Sequence, residues 1–173
     1  RIEHLESRAM LTVQVTQIMS GLGTELVITS TAGDDIAVRA ATTTSTVVEV
    51  LENGVPLVGI PAIDPATLTR LTVVGDDGNN VINLGTVTGA FFNPNLEIIV
   101  DGGDGDDFIT GSLNIASTLN GGDGTDVLFG GTQADSLTGG DGRDLLNGRD
   151  GDDTLNGGDG GDTINGEVGD DIV

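Results

Sequence analysis

The stretch GGDGDDFIT (residues 102–110) sets a nine-residue rhythm that runs to the end of the chain. It continues as GGDGTDVLF (121–129), GGTQADSLT (130–138), GGDGRDLLN (139–147), GRDGDDTLN (148–156), GGDGGDTIN (157–165) and GEVGDDIV (166–173). Glycine recurs at positions one, two and four, aspartate at position six, and an aliphatic residue at position eight. A disordered Gly/Asp-rich linker would not keep an aliphatic residue in register across these units, so the period predicts structure.

Ions held between stacked loops would explain this pattern. Neighbouring strands of a parallel stack lie about 4.8 Å apart, and calcium prefers oxygen ligands at about 2.3–2.6 Å. Because twice that distance is about one strand spacing, a calcium ion fits between two loops and takes oxygens from both. Glycines let the backbone turn tightly and aim its carbonyls inward, and the aspartates supply the charge. We expect the position-eight residues to point inward; they are Ile109, Leu128, Leu137, Leu146, Leu155, Ile164 and Val173.

The ligand types favour calcium over other metals. The chain has no cysteine and one histidine, His4, far from the repeats, so zinc, copper and iron sites are poorly supported. Magnesium prefers a rigid octahedron with several waters, and the closing glutamate of an EF-hand does not occur. The sequence therefore predicts several calcium ions as cofactors.

Charge and composition narrow the classes of partner. The 173-residue chain has a net charge of −22, and all six basic residues are arginine. Such a surface repels nucleic acid and anionic membranes. Aromatic side chains are scarcer than in a conventional globular core. The sequence has no run of 18 apolar residues, so it predicts no transmembrane helix. Weak repeat sites fill at the millimolar calcium levels found outside cells, so we expect a secreted or cell-surface protein.

Residues 11–100 differ from the repeats. Apolar and polar residues alternate over residues 11–18, which predicts a strand, and β-branched residues predict more strands at 26–29, 36–39, 46–51, 71–74, 81–84 and 96–100. All four prolines fall between these segments, where loops are expected, and no helix is predicted after residue 10. We therefore divide the chain into a leader remnant or frayed terminus (1–10), a β-rich region with wide coils (11–100) and the repeats (101–173).

The wide-coil region carries an echo of the repeat. GDDGNNVIN (residues 75–83) has Asn80 at position six and Ile82 at position eight, and Gly33, Asp34 and Asp35 form a fainter copy. Taking Asp35 and Asn80 as markers, the coils shorten towards the repeats. This predicts an all-β fold, a right-handed parallel β-solenoid whose C-terminal part is a β-roll. A β-sandwich packed beside a separate roll is the competing architecture.

Residues 102–173, about two-fifths of the chain, resemble the RTX (hemolysin-type) calcium-binding family. The resemblance implies a parallel β-roll in which each repeat gives a calcium loop and a short strand, with the loops stacked in two rows. It implies that loop carbonyls and sixth-position aspartates bind the ions. The implied ligands are Gly103, Gly105, Asp107, Gly122, Gly124, Asp126, Asp135, Gly140, Gly142, Asp144, Gly151, Asp153, Gly158, Gly160, Asp162 and Asp171. The family is typically exported, with repeats that stay unfolded until they meet external calcium.

Two further features concern the N-terminal end. The string LESRAML (residues 5–11) resembles the LExRxLL element near the N-terminus of many large exported bacterial repeat proteins. The alternative is an ordinary frayed terminus. Because residue 1 is Arg and the last repeat stops at its eighth residue, we expect the chain to be part of a longer protein.

The two rows of loops are predicted to be unequal. Loops starting at Gly102, Gly121, Gly139 and Gly157, the first row, match the motif in full. Loops starting at Gly111, Gly130, Gly148 and Gly166, the second row, all depart from it. Gln133 replaces a position-four glycine, Arg149 and Glu167 replace position-two glycines, and residues 111–120 contain no aspartate. We expect three well-formed sites in the first row, at most two weaker ones near Asp135/Asp153 and Asp153/Asp171, and one more if Asn80 contributes its oxygen.

The sequence is compatible with two functions. The first is a calcium-binding structural module of a secreted or surface-displayed bacterial protein, which folds and stiffens on binding calcium. The alternative is the non-catalytic tail of a secreted protease or lipase. No zinc-protease or serine-hydrolase motif occurs, and acid pairs such as Asp106/Asp107 and Asp152/Asp153 lie in metal loops. Arg143 and Arg149 are interpreted as surface charge. We expect this chain not to be an enzyme.

Overall fold

The computed structural model describes residues 13–20, 23–30, 35–40, 47–57 and 62–173. In that part of the chain the strands are β1 Gln14–Ser20, β2 Gly23–Thr29, β3 Asp35–Ala40, β4 Val48–Glu52, β5 Val55–Pro56, β6 Leu68–Val74, β7 Val81–Asn83, β8 Glu97–Asp104, β9 Phe108–Thr110, β10 Ser117–Gly124, β11 Val127–Phe129, β12 Ser136–Gly142, β13 Leu145–Asn147, β14 Thr154–Gly160 and β15 Thr163–Asn165. One short 3-10 helix, Pro65–Thr67, precedes β6. The protein is thus all-β, as predicted.

The strands form two mostly parallel sheets. The first sheet has the order β1-β2-β6-β8-β10-β12-β14 and the second β15-β13-β11-β9-β7-β3-β4-β5. From β6 onward the chain alternates between the two sheets. Each coil of the repeats therefore lays one strand on each sheet, which is the arrangement of a β-roll. The handedness of the winding stays a prediction.

The core is a ladder of aliphatic side chains between the sheets. Ile109, Leu128 and Leu146 are aligned in the second sheet and fully buried, and Leu119 and Leu137 are aligned in the first. Leu119 fills the core position although its half-coil departs from the motif. The prediction for position eight is therefore confirmed in the interior coils; towards the end Ile164 is half-buried and Val173 exposed.

Both sheets pass without interruption from the wide coils into the repeats. β8 pairs in parallel with β6 and β10, and β9 pairs in parallel with β7 and β11. One hydrophobic cluster extends through both regions. Among the described residues, antiparallel pairing occurs only at the wide-coil end, where β1 pairs with β2 and β4 pairs with β3 and β5. The wide coils are therefore not a sandwich packed beside a separate roll.

Three details of the sequence prediction need correction. Pro56 lies in β5, not between strands; β5 is the edge strand of its sheet, where a missing N–H is tolerated. A 3-10 turn occurs at Pro65, because Pro favours the first turn and the Asp64 side chain accepts the N–H of Ala66. Asp35 pairs with Val81 and so stands at position seven, one residue beyond Asn80. Gly33, Asp34, His4 and the element at residues 5–11 lie outside the described residues.

Candidate metal centre

Each buried aspartate of the first row ties two coils together through one oxygen. Oδ1 of Asp126 accepts the backbone N–H of Asp107 at 2.8 Å, and Oδ1 of Asp144 accepts that of Asp126 at 2.8 Å. Asp162 accepts the N–H of Asp144 at 3.0 Å, and Asp107 accepts that of Asn80 at 2.7 Å. The predicted aspartates of this row are therefore stacked, one per coil.

The other oxygen, Oδ2, faces the space between two successive loops of one row, which we call a rung. A Cβ placed on Gly102 would overlap both Oδ2 of Asp107 and the carbonyl oxygen of Gly121 in the next coil. The same convergence of carboxylate and carbonyl recurs in the next two coils, at Gly121 and at Gly139. Only glycine leaves this space open, which explains the glycine at position one.

Carbonyls at positions two and four also face the next coil. A Cβ on Gly122 would overlap the carbonyl oxygen of Gly103, and one on Gly124 would overlap that of Gly105. The predicted glycines whose carbonyl oxygens lie against the next coil in this way are Gly103, Gly105, Gly122, Gly124, Gly140, Gly142 and Gly151. Gly158 and Gly160, in the last first-row loop, lie against the carbonyls of Gly140 and Gly142.

Burial makes these carboxyl groups weak acids. Asp107 and Asp126 are at most 2 % exposed, and desolvation raises the pKa of each to about 6. The backbone N–H bonds oppose this rise, and the carboxylate of the next coil adds to it. Burial also raises the pKa of Asp144 and of Asp153. A cation in the rungs would offset this cost.

The residues present fit calcium. Among the described residues, Oδ2 of Asp107, Asp126, Asp144 and Asp153 is buried without a hydrogen-bond partner. The carbonyl oxygens beside them are also acceptors, so only a proton or a cation satisfies the set. The described residues contain no group of three or more His, Cys, Asp or Glu side chains suited to a metal. Main-chain oxygens must therefore supply most of the ligands, which calcium accepts.

The second row has a different geometry. Oδ1 of Asp153 accepts the N–H of Asp135 at 2.8 Å, and Asp171 accepts that of Asp153 at 3.0 Å, as in the first row. Arg149 and Glu167, however, adopt φ values of 71° and 69°. This left-handed backbone costs a residue with a Cβ about 1–2 kcal/mol. The second-row loops therefore reach the repeat conformation under strain.

Arg149 is not merely surface charge. Its Nη1 donates to the carbonyl oxygen of Gly130 at 2.9 Å, and its guanidinium carbon lies 4.9 Å from the ring centroid of Phe129. A guanidinium in this position on an aromatic face gains a cation–π attraction. The sequence could not show this, because the partners lie one coil earlier. Arg143 is exposed, as predicted.

Asn80 presents a donor where an oxygen was predicted. The side chain is fully buried, and Nδ2 donates to the carbonyl oxygen of Gly78 at 2.6 Å and lies 3.4 Å from that of Gly102. The amide nitrogen thus stands in the place where the next coils have Oδ2. A calcium ion in this rung would require the amide to turn.

Sequence reasoning missed two kinds of contact in the loops. Ser117 occupies position six, where the other repeats have aspartate, and its Oγ accepts the N–H of Ser112 at 3.1 Å. The sequence indicates this position, because Ser117 lies two residues before the core residue Leu119. Position five also clamps coils, since Oδ1 of Asp106 accepts the N–H of Thr125 at 3.0 Å. No signal marked position five, because its residue type varies.

Stacked loops that direct carboxylate and carbonyl oxygens into the space between coils define a class of calcium-binding repeat. A family model described as the RTX calcium-binding nonapeptide repeat (hemolysin-type) matches residues 99–113, 120–155 and 138–173. The repeats are therefore RTX calcium-binding repeats, as predicted, which supports calcium as their ion; the number of ions and the N-terminal export element stay predictions. No curated protein and no solved structure matches the chain. In the part of the chain that the structure describes, no helix is long and apolar enough to cross a membrane.

We expect acid to stabilise the protein when calcium is removed. The folded-state pKa of Asp107 and Asp126 is about 6, against an ordinary value of 3.8. The folded state therefore binds the proton more tightly than the unfolded state. Above pH 6 both carboxyl groups are ionised, and the full cost of burying their charge lowers the free energy of unfolding. This cost is lost as the pH falls from about 6 to below 3.8. Thermal unfolding in chelator should give a higher Tm near pH 5 than near pH 7.5.

The control for this experiment is a pair of neutralising variants. Asp126→Asn removes one buried titrating group and should shrink the Tm difference between the two pH values. Asp123→Asn, an exposed neighbour in the same loop, should leave the difference nearly unchanged. A parent protein that loses stability on acidification would contradict the assignment.

Proposed function

We propose that this chain is a calcium-binding structural module of a secreted or cell-surface bacterial protein, which completes its folding and stiffens on binding extracellular calcium. The observation that supports it most is the repeated buried Oδ2 of Asp107, Asp126 and Asp144, each without a partner. A fold that leaves one acceptor per coil unpartnered, beside further acceptors, is stabilised by a cation at those places.

Three rungs of the first row are the proposed principal sites. They lie between the loops that start at Gly102, Gly121, Gly139 and Gly157. In each, the earlier loop offers its Oδ2 and its carbonyls at positions two and four, and the later loop offers its position-one carbonyl. Calcium would supply the positive charge, and the chain supplies oxygens fixed by strand pairing on both sides of the loop.

One second-row rung also qualifies. Oδ2 of Asp153 is buried without a partner, and the carbonyl of Gly151 faces Gly169 in the next coil. The strained backbone of Glu167 in that later loop makes it the weaker site. We propose a non-catalytic role for the module, because residues such as Asp106 and Asp107 bind backbone N–H groups of neighbouring coils instead of pairing with each other.

Calorimetric calcium titration of the full chain tests this function. Asp144→Asn should lower the number of bound ions, because Oδ2 of Asp144 faces one rung while its Oδ1 binds the loop on the other side. Asp141→Asn is the matched control: it removes the same charge from the same loop at an exposed position. If the parent protein binds no calcium, or both variants lose equally, the proposed sites are wrong.

A further inference from the structure

Asp135 is the exception among the buried aspartates of the repeats. Its side chain is 3 % exposed, yet both oxygens already have partners. Oδ1 accepts the N–H of Ser117 at 2.6 Å, and Oδ2 accepts the N–H of Gly131 at 2.6 Å. In the interior coils the equivalent Oδ2 of Asp126, Asp144 and Asp153 has no partner. The Asp135 rung, between the loops that start at Gly130 and Gly148, therefore lacks the unpartnered oxygen that characterises the others.

The backbone of Gly131 accounts for this difference. First-row glycines at position two, such as Gly122 and Gly140, have left-handed φ values of 116° and 121° and direct their carbonyl into the rung. Gly131 is not left-handed. Its N–H instead donates to Asp135, and its carbonyl oxygen accepts the N–H of Asp150 at 3.3 Å.

Arg149 faces the rearranged loop from the next coil. A side chain at position two collides with the position-two carbonyl of the earlier loop, as a Cβ on Gly140 would with Gly122. Arg149 carries such a Cβ opposite Gly131, as Glu167 does opposite Arg149, but only Arg149 also brings a positive charge. The guanidinium then reaches back to the carbonyl oxygen of Gly130 at 2.9 Å and rests on Phe129. Burial raises the pKa of Asp135, and the N–H groups of Gly131 and Ser117, with the Arg149 charge, oppose that rise.

We propose that Arg149 and the Gly131 N–H take the place of calcium at the Asp135 rung, which joins its coils without a metal ion. This inference rests on the proposed function of the other rungs. The second row would then contain one permanent internal staple beside one weak calcium site. The staple fixes the register of the loops before calcium arrives, because its hydrogen bonds and its cation belong to the chain itself.

The test compares two isosteric variants of the full chain, Asp135→Asn and Asp126→Asn. Each side chain is buried and accepts an N–H from the preceding coil. Calcium titration should give the parent stoichiometry for Asp135→Asn and at least one ion fewer for Asp126→Asn. The amide of Asp135→Asn has one oxygen for two N–H donors, so one hydrogen bond is lost whether or not calcium is present. The Tm of this variant should therefore fall by the same amount in chelator and in calcium. Asp126→Asn should lower the Tm in calcium only.

Each outcome decides the matter. Loss of an ion in Asp135→Asn, or a Tm deficit seen only in calcium, would overturn the staple. A parent protein without calcium binding would instead overturn the proposed function. Should Asp135→Asn fail to fold, Arg149→Gln keeps the Cβ and removes the charge. It should lower the Tm in chelator and leave the stoichiometry unchanged, and a chelator Tm equal to that of the parent would refute the role of Arg149.

Discussion

Removing calcium should speed amide exchange in the repeats much more than in the wide coils. In the repeats the core is one aliphatic residue per half-coil, and the buried aspartates are stacked one per coil. At a strand spacing of about 4.8 Å and an effective dielectric of about 20, two adjacent charges repel by about 3.5 kcal/mol. Without calcium that repulsion acts along the stack. The wide coils carry longer apolar strands, such as β2 and β6, and fewer buried carboxylates.

Hydrogen exchange of the full chain, measured by mass spectrometry in chelator and in millimolar calcium, checks this expectation. Peptides covering β12 and β13 should exchange faster in chelator than in calcium, and those covering β2 and β6 should exchange equally in both. Magnesium at the same concentration is the control, because its demand for a rigid octahedron makes it a poor substitute. Equal protection of the repeats with and without calcium would contradict the coupling, and loss of protection everywhere would indicate one calcium-dependent unit.

Gly122→Ala should be among the most damaging single substitutions in the repeats. Gly122 has a φ of 116°, and its added Cβ would overlap the carbonyl oxygen of Gly103 in the neighbouring coil. The left-handed backbone and the forced movement of a paired main chain together should cost about 2–4 kcal/mol. The same movement would displace a proposed calcium ligand, so calcium affinity should fall as well. Urea unfolding in saturating calcium measures the loss.

Gly161→Ala is the matched control for this substitution. Gly161 lies in a first-row loop at a variable position, its φ is not left-handed, and an added Cβ would meet nothing within 4 Å. It should shift stability by less than about 0.5 kcal/mol. If the two variants unfold at the same urea concentration, the packing of position two against the preceding carbonyl has no energetic weight.

Much of the repeat region could be predicted from sequence because its determinants are periodic. The aliphatic residue at position eight marks the strand that enters the core, and the glycines mark the open space beside the aspartates. The wide coils were predictable as strands, since β-branched runs such as that of β6 are local signals. Their connection to the repeats was predicted as a continuous solenoid but could not be separated from a sandwich beside a roll, because the pairing of β6 with β8 joins residues far apart in the chain.

The differences between aspartates could not be predicted, because they depend on the coil before or after. Asp135 and Asp153 occupy the same position of the motif, but one has a partner for each oxygen and the other does not. The following loops differ in the position-two side chain: Arg149, which donates to the Gly130 carbonyl, follows Asp135, and Glu167 follows Asp153. Motif position therefore identifies a candidate ligand, and the adjacent loop decides whether its oxygen is available.

The hydrogen bonds between coils join each loop to both of its neighbours in the stack. The amide of Asp126 is satisfied by Asp144 of the following coil, and the amide of Thr125 by Asp106 of the preceding one. Each coil is therefore stabilised by the coils on either side of it. The wide coils provide such a neighbour for the first repeat at β8 and β9. We therefore expect the number of coils wound at equilibrium to rise with the calcium concentration, so that the length of the roll depends on how much calcium surrounds it.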